Sequence, residues 1–266
     1  MLDALSLLAC LACTPVTPVA APANAVAVDV ELVLAVDISQ SMDEREFALQ
    51  RAGYVEALGH PDFIKAVRSG TTGRIALAYF EWAGVVREDG VIAWQVIDSA
   101  ESANAFADKI AARPFRSFRG TSISGALAFG AGLFDSTGFD APRSVIDISG
   151  DGPNNTGLPV ATTRDAAVAK GIVINGLPIL ISPSPTFSHL DQYYDDCVTG
   201  GPGSFVLPIY AASEFATAIR RKLILEVSGI ADATVVTIDA AAPMDCLQGE
   251  RDRRLYSDPY FPELDK

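Results

Sequence analysis

The chain has 266 residues, enough to bury a sizeable core as one large domain or two small ones. Apolar residues make up 49% of it and charged residues 20%, a globular balance. Its formal net charge of −13 repels polyanions, so nucleic acid and anionic membrane surfaces are disfavoured as partners.

The first 25 residues differ in kind from the rest. The apolar run LSLLACLA (Leu5 to Ala12) is too short to span a bilayer. A Pro/Ala/Thr-rich stretch follows, and Ala23-Asn24-Ala25 has the small-x-small pattern of a signal-peptidase site. The segment reads as a secretory signal cleaved after Ala25, although Asp3 stands where such signals carry a basic residue. Leu7-Leu8-Ala9-Cys10 also resembles a lipoprotein signal, which would anchor the chain through Cys10, and a disordered tail is the third reading. Either signal implies a periplasmic or extracellular protein with no integral membrane span in the mature chain.

Val28 to Val36 is apolar on both faces, as strands inside a parallel sheet are. Asp43 to Leu58 spaces Phe47, Tyr54, Val55 and Leu58 as a helix does, and Gly59-His60-Pro61 stops it. Ser41, just ahead of two acids, reads as that helix's N-cap. Arg74 to Trp82 and Gly90 to Ile97 are strands joined by the turn Arg87-Glu88-Asp89-Gly90, a predicted hairpin. Helices are predicted at Ser102–Ala112, Ser122–Phe134, Thr162–Lys170 and Ala211–Glu226, and strands at Arg143–Ser149, Ile172–Ile181 and Ser204–Ile209. Residues 182–203 form a Pro/Gly/Tyr-rich excursion. This alternation predicts an α/β fold: a doubly wound, mostly parallel sheet with one antiparallel edge strand and helices on both faces. The predicted division is a signal (1–25), one domain (26–228) and a C-terminal tail (229–266). Of four cysteines only Cys197 and Cys246 lie outside the signal, and in an exported chain such a pair predicts a disulfide that pins the tail.

Ligands of doubly wound sheets bind at the carboxyl ends of the strands. Those ends deliver Asp37, Ser39 and Ser41 after the first strand, Asp151 after Arg143–Ser149, and Thr121 ahead of the helix at Ser122. Two carboxylates and three hydroxyls suit a hard divalent cation, Mg²⁺ first, with Mn²⁺ and Ca²⁺ as alternatives. The two histidines, His60 and His189, lack zinc-ligand spacing. Five side-chain oxygens leave at least one position of an octahedron for a carboxylate from outside.

Asp37-Ile38-Ser39-Gln40-Ser41 resembles the D-x-S-x-S signature of von Willebrand factor A domains and integrin I domains. In those domains a metal-ion-dependent adhesion site adds a Thr from a second loop and an Asp from a third. Thr121 in Arg119-Gly120-Thr121-Ser122 and Asp151 in Ser149-Gly150-Asp151-Gly152 match these positions, at separations of about 80 and then about 30 residues. The likeness covers roughly residues 27 to 228, and the strings VDVELVLAVDISQSM, RSVIDISGDGPNN and FATAIRRKLILE are similar to an uncharacterised family of secreted bacterial von Willebrand A-like proteins. It implies a non-enzymatic protein-binding domain, adhesive or scaffolding, whose partner presents an acidic side chain to the cation. Glu81, Trp82, Arg119 and Asn154 are the rim candidates, with Arg116 beside Arg119, and Asp147 is the candidate that orients a ligand from behind. Two alternatives stay open. One is a metal-stabilised structural domain of an envelope complex. The other is a metal-dependent hydrolase, although a haloacid-dehalogenase-type phosphotransferase needs an acid where Ser39 stands, and RGTSISGA around Ser122 lacks the first glycine of a nucleophile elbow.

Overall fold

The computed structural model describes residues 25–182, 187–229 and 242–256. The expected signal up to residue 24, with Cys10 and Cys13, lies outside them, as do most of the tail's first dozen residues and its end.

After a two-residue strand, β1 (Val26–Ala27), the chain enters β2 (Glu31–Asp37), buried along its whole length. Two helices follow, α1 (Glu44–Gly59) and α2 (Pro61–Arg68), then β3 (Ile75–Trp82), β4 (Ile92–Ile97), α3 (Ala100–Ala111) and α4 (Ile123–Gly132). The second half runs β5 (Phe139–Asp140), β6 (Ser144–Gly150), α5 (Val160–Ala169), β7 (Ile172–Pro178), the short α6 (Leu190–Tyr193), α7 (Phe215–Ser228) and α8 (Gln248–Tyr256). The central sheet has the order β4-β3-β2-β6-β7. β2 runs parallel to both β3 and β6, β7 parallel to β6, and β4 antiparallel to β3 as the edge strand. β1 pairs with β5 in a separate two-stranded ribbon, too short to leave a periodic signal in the sequence.

The alternation of side chains along β2 divides the core. Leu32, Leu34 and Val36 face the layer of α1, α2, α3 and α7, where Tyr54, Leu58, Phe106 and Leu223 meet them. Val33 and Ala35 face the layer of α4 and α5, with Leu127, Val160 and Tyr193. β2, β3, β6 and β7 are sandwiched between helices, which is why they read as continuous apolar runs. No helix among the described residues is long and apolar enough to cross a membrane.

Several expected boundaries shift for physical reasons. The N-cap of α1 is Asp43, not Ser41. Asp43 Oδ1 accepts from the Glu46 amide at 2.7 Å while the Asp43 amide donates to Glu46 Oε2 at 3.2 Å, a closed capping box. Gly59-His60-Pro61 ends one helix and starts another: His60 Nδ1 accepts from the Asp62 amide at 3.2 Å and Pro61 occupies the first helical position. The expected strand Ser204–Ile209 is reduced to isolated bridges from Val206 to Gly176 and from Ile209 to Ile179, because Pro178 of β7 has no N–H to donate to the segment between them. The excursion at 182–203 contains α6 and the π-turn Tyr194–Val198. The tail contains a helix, α8, that the sequence did not predict. Cys197 and Cys246 form the expected disulfide, with their sulfurs 2.04 Å apart.

Candidate functional site

The chain goes from β2 outward to β3 and β4 on one side, then returns to place β6 on the other side of β2. This reversal leaves a crevice beyond the carboxyl ends of β2 and β6, the usual ligand position in such sheets. Asp37 is the last residue of β2, and Asp151 follows directly on β6.

Three loops converge there. In the first, the Ser39 amide donates to Asp37 Oδ1 at 2.7 Å and folds the chain back over the strand end. Ser39 Oγ lies 2.8 Å from Ser41 Oγ, and the Ser41 hydroxyl donates to Asp151 Oδ1 at 2.7 Å, so the first and third loops are already linked. Because Asp43 caps α1, the Ser41 hydroxyl is free for this role. The second loop is tied to the first through the Gln40 amide, which donates to the Phe118 carbonyl at 2.9 Å. Gly120 turns it with φ of 83°, a left-handed conformation that favours glycine. Thr121 is then clamped on both sides, its amide donating to Asn155 Oδ1 at 2.9 Å and its carbonyl accepting from the Asn155 amide at 2.9 Å. Ser39, Ser41, Thr121 and Asp151 line one open cleft of about 580 Å³, with Asp37 buried behind them.

The electrostatics show what the cleft suits. Asp37 is fully buried, and its Oδ2 has no partner among the described residues. Burial drives its carboxyl well above the usual range, and the Asp151 charge drives it further. Burial likewise raises Asp151 to about 6, opposed by the Ser41 hydroxyl and reinforced by Glu46. Two carboxylates that repel each other at close quarters are stabilised by a cation between them. Among the described residues no group of three His, Cys, Asp or Glu side chains is placed to hold a metal ion. A cation here would rest on two carboxylates and neutral hydroxyls, a hard and only partly acidic donor set. Gly150 preserves the space: a Cβ there would lie 2.9 Å from Asp37 Oδ2 and 2.8 Å from the Tyr194 hydroxyl.

Other expected site residues lie elsewhere. Glu81 and Trp82 are 4% and 0% exposed, so neither forms a rim. Glu81 is taken up by Arg51 at 3.1 Å, Arg113 at 2.9 Å and the Tyr79 hydroxyl at 3.0 Å. Asn154 is buried too. Its Oδ1 accepts from the Ser124 amide at 2.9 Å, and its Nδ2 donates to Leu158 O at 3.1 Å and Glu250 Oε1 at 2.8 Å, joining the third loop to α4 and α8. Arg119 is exposed on the cleft as expected of a rim residue, whereas Arg116 pairs with Asp89 at 3.1 Å.

Asp147, the candidate for orienting a ligand from behind, does not line the cleft. It faces Lys222 of α7 at 3.0 Å, and Lys222 also holds Glu226 at 2.6 Å, all three side chains being fully buried. One ammonium cannot neutralise two buried carboxylates, so burial keeps Asp147 up at about 7 despite Lys222. Burial works against the Lys222 charge, but Asp147 and Glu226 outweigh it and hold that ammonium above its ordinary value. A folded-state carboxyl raised above its unfolded value binds protons in the native state, so its contribution to stability falls as pH rises from about 4 to about 7. Asp147→Asn is therefore expected to flatten this part of the stability–pH curve, measured by urea denaturation at pH 4.5 and 7.5. An unchanged curve would show that Asp147 titrates normally.

The sequence reading also missed two positioning residues. Asn155 holds Thr121, as described. Gln50 of α1 donates from Nε2 to the Asp37 carbonyl at 2.9 Å and accepts at Oε1 from the Ser149 hydroxyl at 3.1 Å, fastening the ends of β2 and β6 together. Gln50 sits on an apparently ordinary helix face, and only its depth reveals it.

A family model described as "Protein of unknown function (DUF1194)" matches residues 27–231. The chain belongs to this family. A comparison of the DUF1194 chain with curated protein sequences finds no match. Among solved structures it is similar to proximal thread matrix protein 1 of the mussel byssus, at 16% identity and a TM-score of 0.53, covering 77% of this chain and 49% of that one. One structure of that matrix protein has a zinc-occupied MIDAS motif. The chain is also similar to the pilus adhesin SpaC of Lactobacillus rhamnosus GG (15% identity, TM-score 0.54, 76% of this chain and 30% of that one). A von Willebrand factor type A protein of Catenulispora acidiphila gives 16% identity and a TM-score of 0.52 over 76% of this chain and 43% of that one. The DUF1194 chain thus spans less than half of the length of each of these three solved proteins, and it shares with them the von Willebrand factor A fold.

Proposed function

We propose that this is a divalent-cation-dependent protein-binding domain, of adhesive or scaffolding kind, that works through a metal-ion-dependent adhesion site. Asp37, Ser39, Ser41, Thr121 and Asp151 would hold the cation, Mg²⁺ by preference and Mn²⁺ or Ca²⁺ as alternatives. The observation that carries the reading is the buried, unpartnered Asp37 Oδ2 behind a hydroxyl relay that ends on Asp151. Two carboxylates neutralise a doubly charged ion without overcharging it, so the ion keeps enough positive character to attract one more anion. That anion would be an acidic side chain of a partner protein, with Arg119 beside it. The likeness in fold to an adhesin and to a matrix protein with a zinc-occupied MIDAS motif supports this reading.

We read the chain as exported, with a signal over residues 1–25, the binding domain over 26–228 and a pinned tail over 229–266. The disulfide supports an oxidising compartment. We read it as a binding module and not as an enzyme: His60 caps α2, His189 is exposed at the start of α6, and neither lines the cleft.

Capture of envelope proteins on immobilised protein, in Mg²⁺ and then in chelator, tests the reading. A partner should be retained in Mg²⁺ and released by chelator, while circular dichroism of the bait is unchanged. The metal-stabilised structural reading predicts the opposite: a lowered melting temperature in chelator with capture intact.

A further inference from the structure

Beside the crevice, on the side of Ile38 and Phe118, lies a separate, partly open pocket of about 150 Å³. Three guanidinium groups reach it from two loops: Arg87 after β3, and Arg113 and Arg116 after α3. Two carboxylates face them, Glu81 and Asp89. Arg51 stands behind and holds Glu81 from its other side, so four positive charges meet two negative ones in a chain of net charge −13.

The donors also outnumber their acceptors. A guanidinium carries five N–H groups in a planar fork. Among the described contacts to these carboxylates, Arg113 spends Nη2 on Glu81 at 2.9 Å. Arg87 spends Nε and Nη2 on Asp89 at 3.0 and 3.3 Å, and Arg116 spends Nη1 on Asp89 at 3.1 Å. Arg113 is the innermost of the three, with its side chain 16% exposed and its Nε buried without a partner. Gly90 makes room for it, since a Cβ there would lie 2.6 Å from Arg113 Nη2. At the inner end, where Arg113 and Glu81 are largely buried, charge–charge attraction is stronger than in open water, and forked N–H pairs match the spacing of two oxygens on one anion.

We propose that this cavity is an oxyanion site that takes a carboxylate, phosphate or sulfate group between Arg113, Arg87 and Arg116. It is independent of any cation at Asp37 and Asp151, because no residue of that set lines it.

Calorimetric titration of the full chain with inorganic phosphate, sulfate and succinate, in chelator and at constant ionic strength, tests the proposal. At least one oxyanion should bind wild type and Asp37→Ala alike. Arg116→Gln and Arg87→Gln, changes to half-exposed side chains, should each weaken binding by about tenfold, the effect of losing one charge-assisted contact. Arg113→Gln should abolish it; this change also releases Glu81, so the two outer variants decide the matter if it does not fold. Tighter binding of phosphate or sulfate than of succinate would identify a tetrahedral group as the occupant, and the reverse order a carboxylate. No binding of any of the three to wild type, or equal binding to wild type and both outer variants, would reduce the cluster to cross-bracing ion pairs and overturn the proposal.

Discussion

Lys222→Met is expected to lower the unfolding free energy by about 3–5 kcal/mol, because it leaves two carboxylates buried without their cation. Asp147 and Glu226 lie 3.0 and 2.6 Å from Lys222 Nζ in a fully buried group. Glu226 keeps one hydrogen bond, from Asn175 Nδ2 at 2.6 Å, whereas Asp147 keeps none among the described residues. Adding Asp147→Leu to Lys222→Met should therefore recover part of the loss, since it removes the carboxylate with no other partner. Urea denaturation of the three proteins measures both effects. A loss under about 1 kcal/mol for Lys222→Met, the range of an exposed pair, would show that water reaches the group. This ion group fastens α7 to β6 on the far side of the sheet from α4, which is a structural role and not one in the cleft.

The second large effect is expected from the disulfide. Replacing Cys197 and Cys246 together by alanine should cost about 4 kcal/mol in the chain-entropy model, because the bond closes a loop of 49 residues. The loss should appear in the denaturation midpoint of the oxidised protein and vanish when wild type is measured fully reduced. It should also loosen α8, whose remaining ties to the third loop include Glu250 with Asn154 and Arg253 with Asn155 and Thr156. Limited proteolysis should then cut first around residues 242–256. An uncut, equally stable double variant would show that α8 is held without its covalent tie.

The strands that carry the site were legible for a simple reason. β2, β3, β6 and β7 are covered on both faces, so their sequences are continuous apolar runs that end abruptly in polar residues. The candidate ligands stand at or just past those ends, and hydroxyl spacing after Asp37 is a local signal. What was hidden depends on depth and on long-range pairing. Glu81 and Asn154 look like surface residues by type, but both are buried and saturated by partners distant in the sequence, such as Arg51 and Glu250. Asp147 inside a strand raised the question of a partner, but nothing local points to Lys222, 75 positions away by residue number. Asn155 was hidden beside Asn154, since only the fold shows which of the two faces Thr121. The N-cap assignment failed because Ser41 and Asp43 are both good caps, and the capping box with Glu46 decides between them.

The central claim is that the three loops at the ends of β2 and β6 hold one divalent cation. Isothermal titration of metal-stripped protein with Mg²⁺, wild type beside Asp37→Ala, tests it most directly. The account predicts saturable binding of one Mg²⁺ per wild-type chain and no measurable heat from the variant, with matching circular dichroism. Equal heats from the two proteins would contradict it.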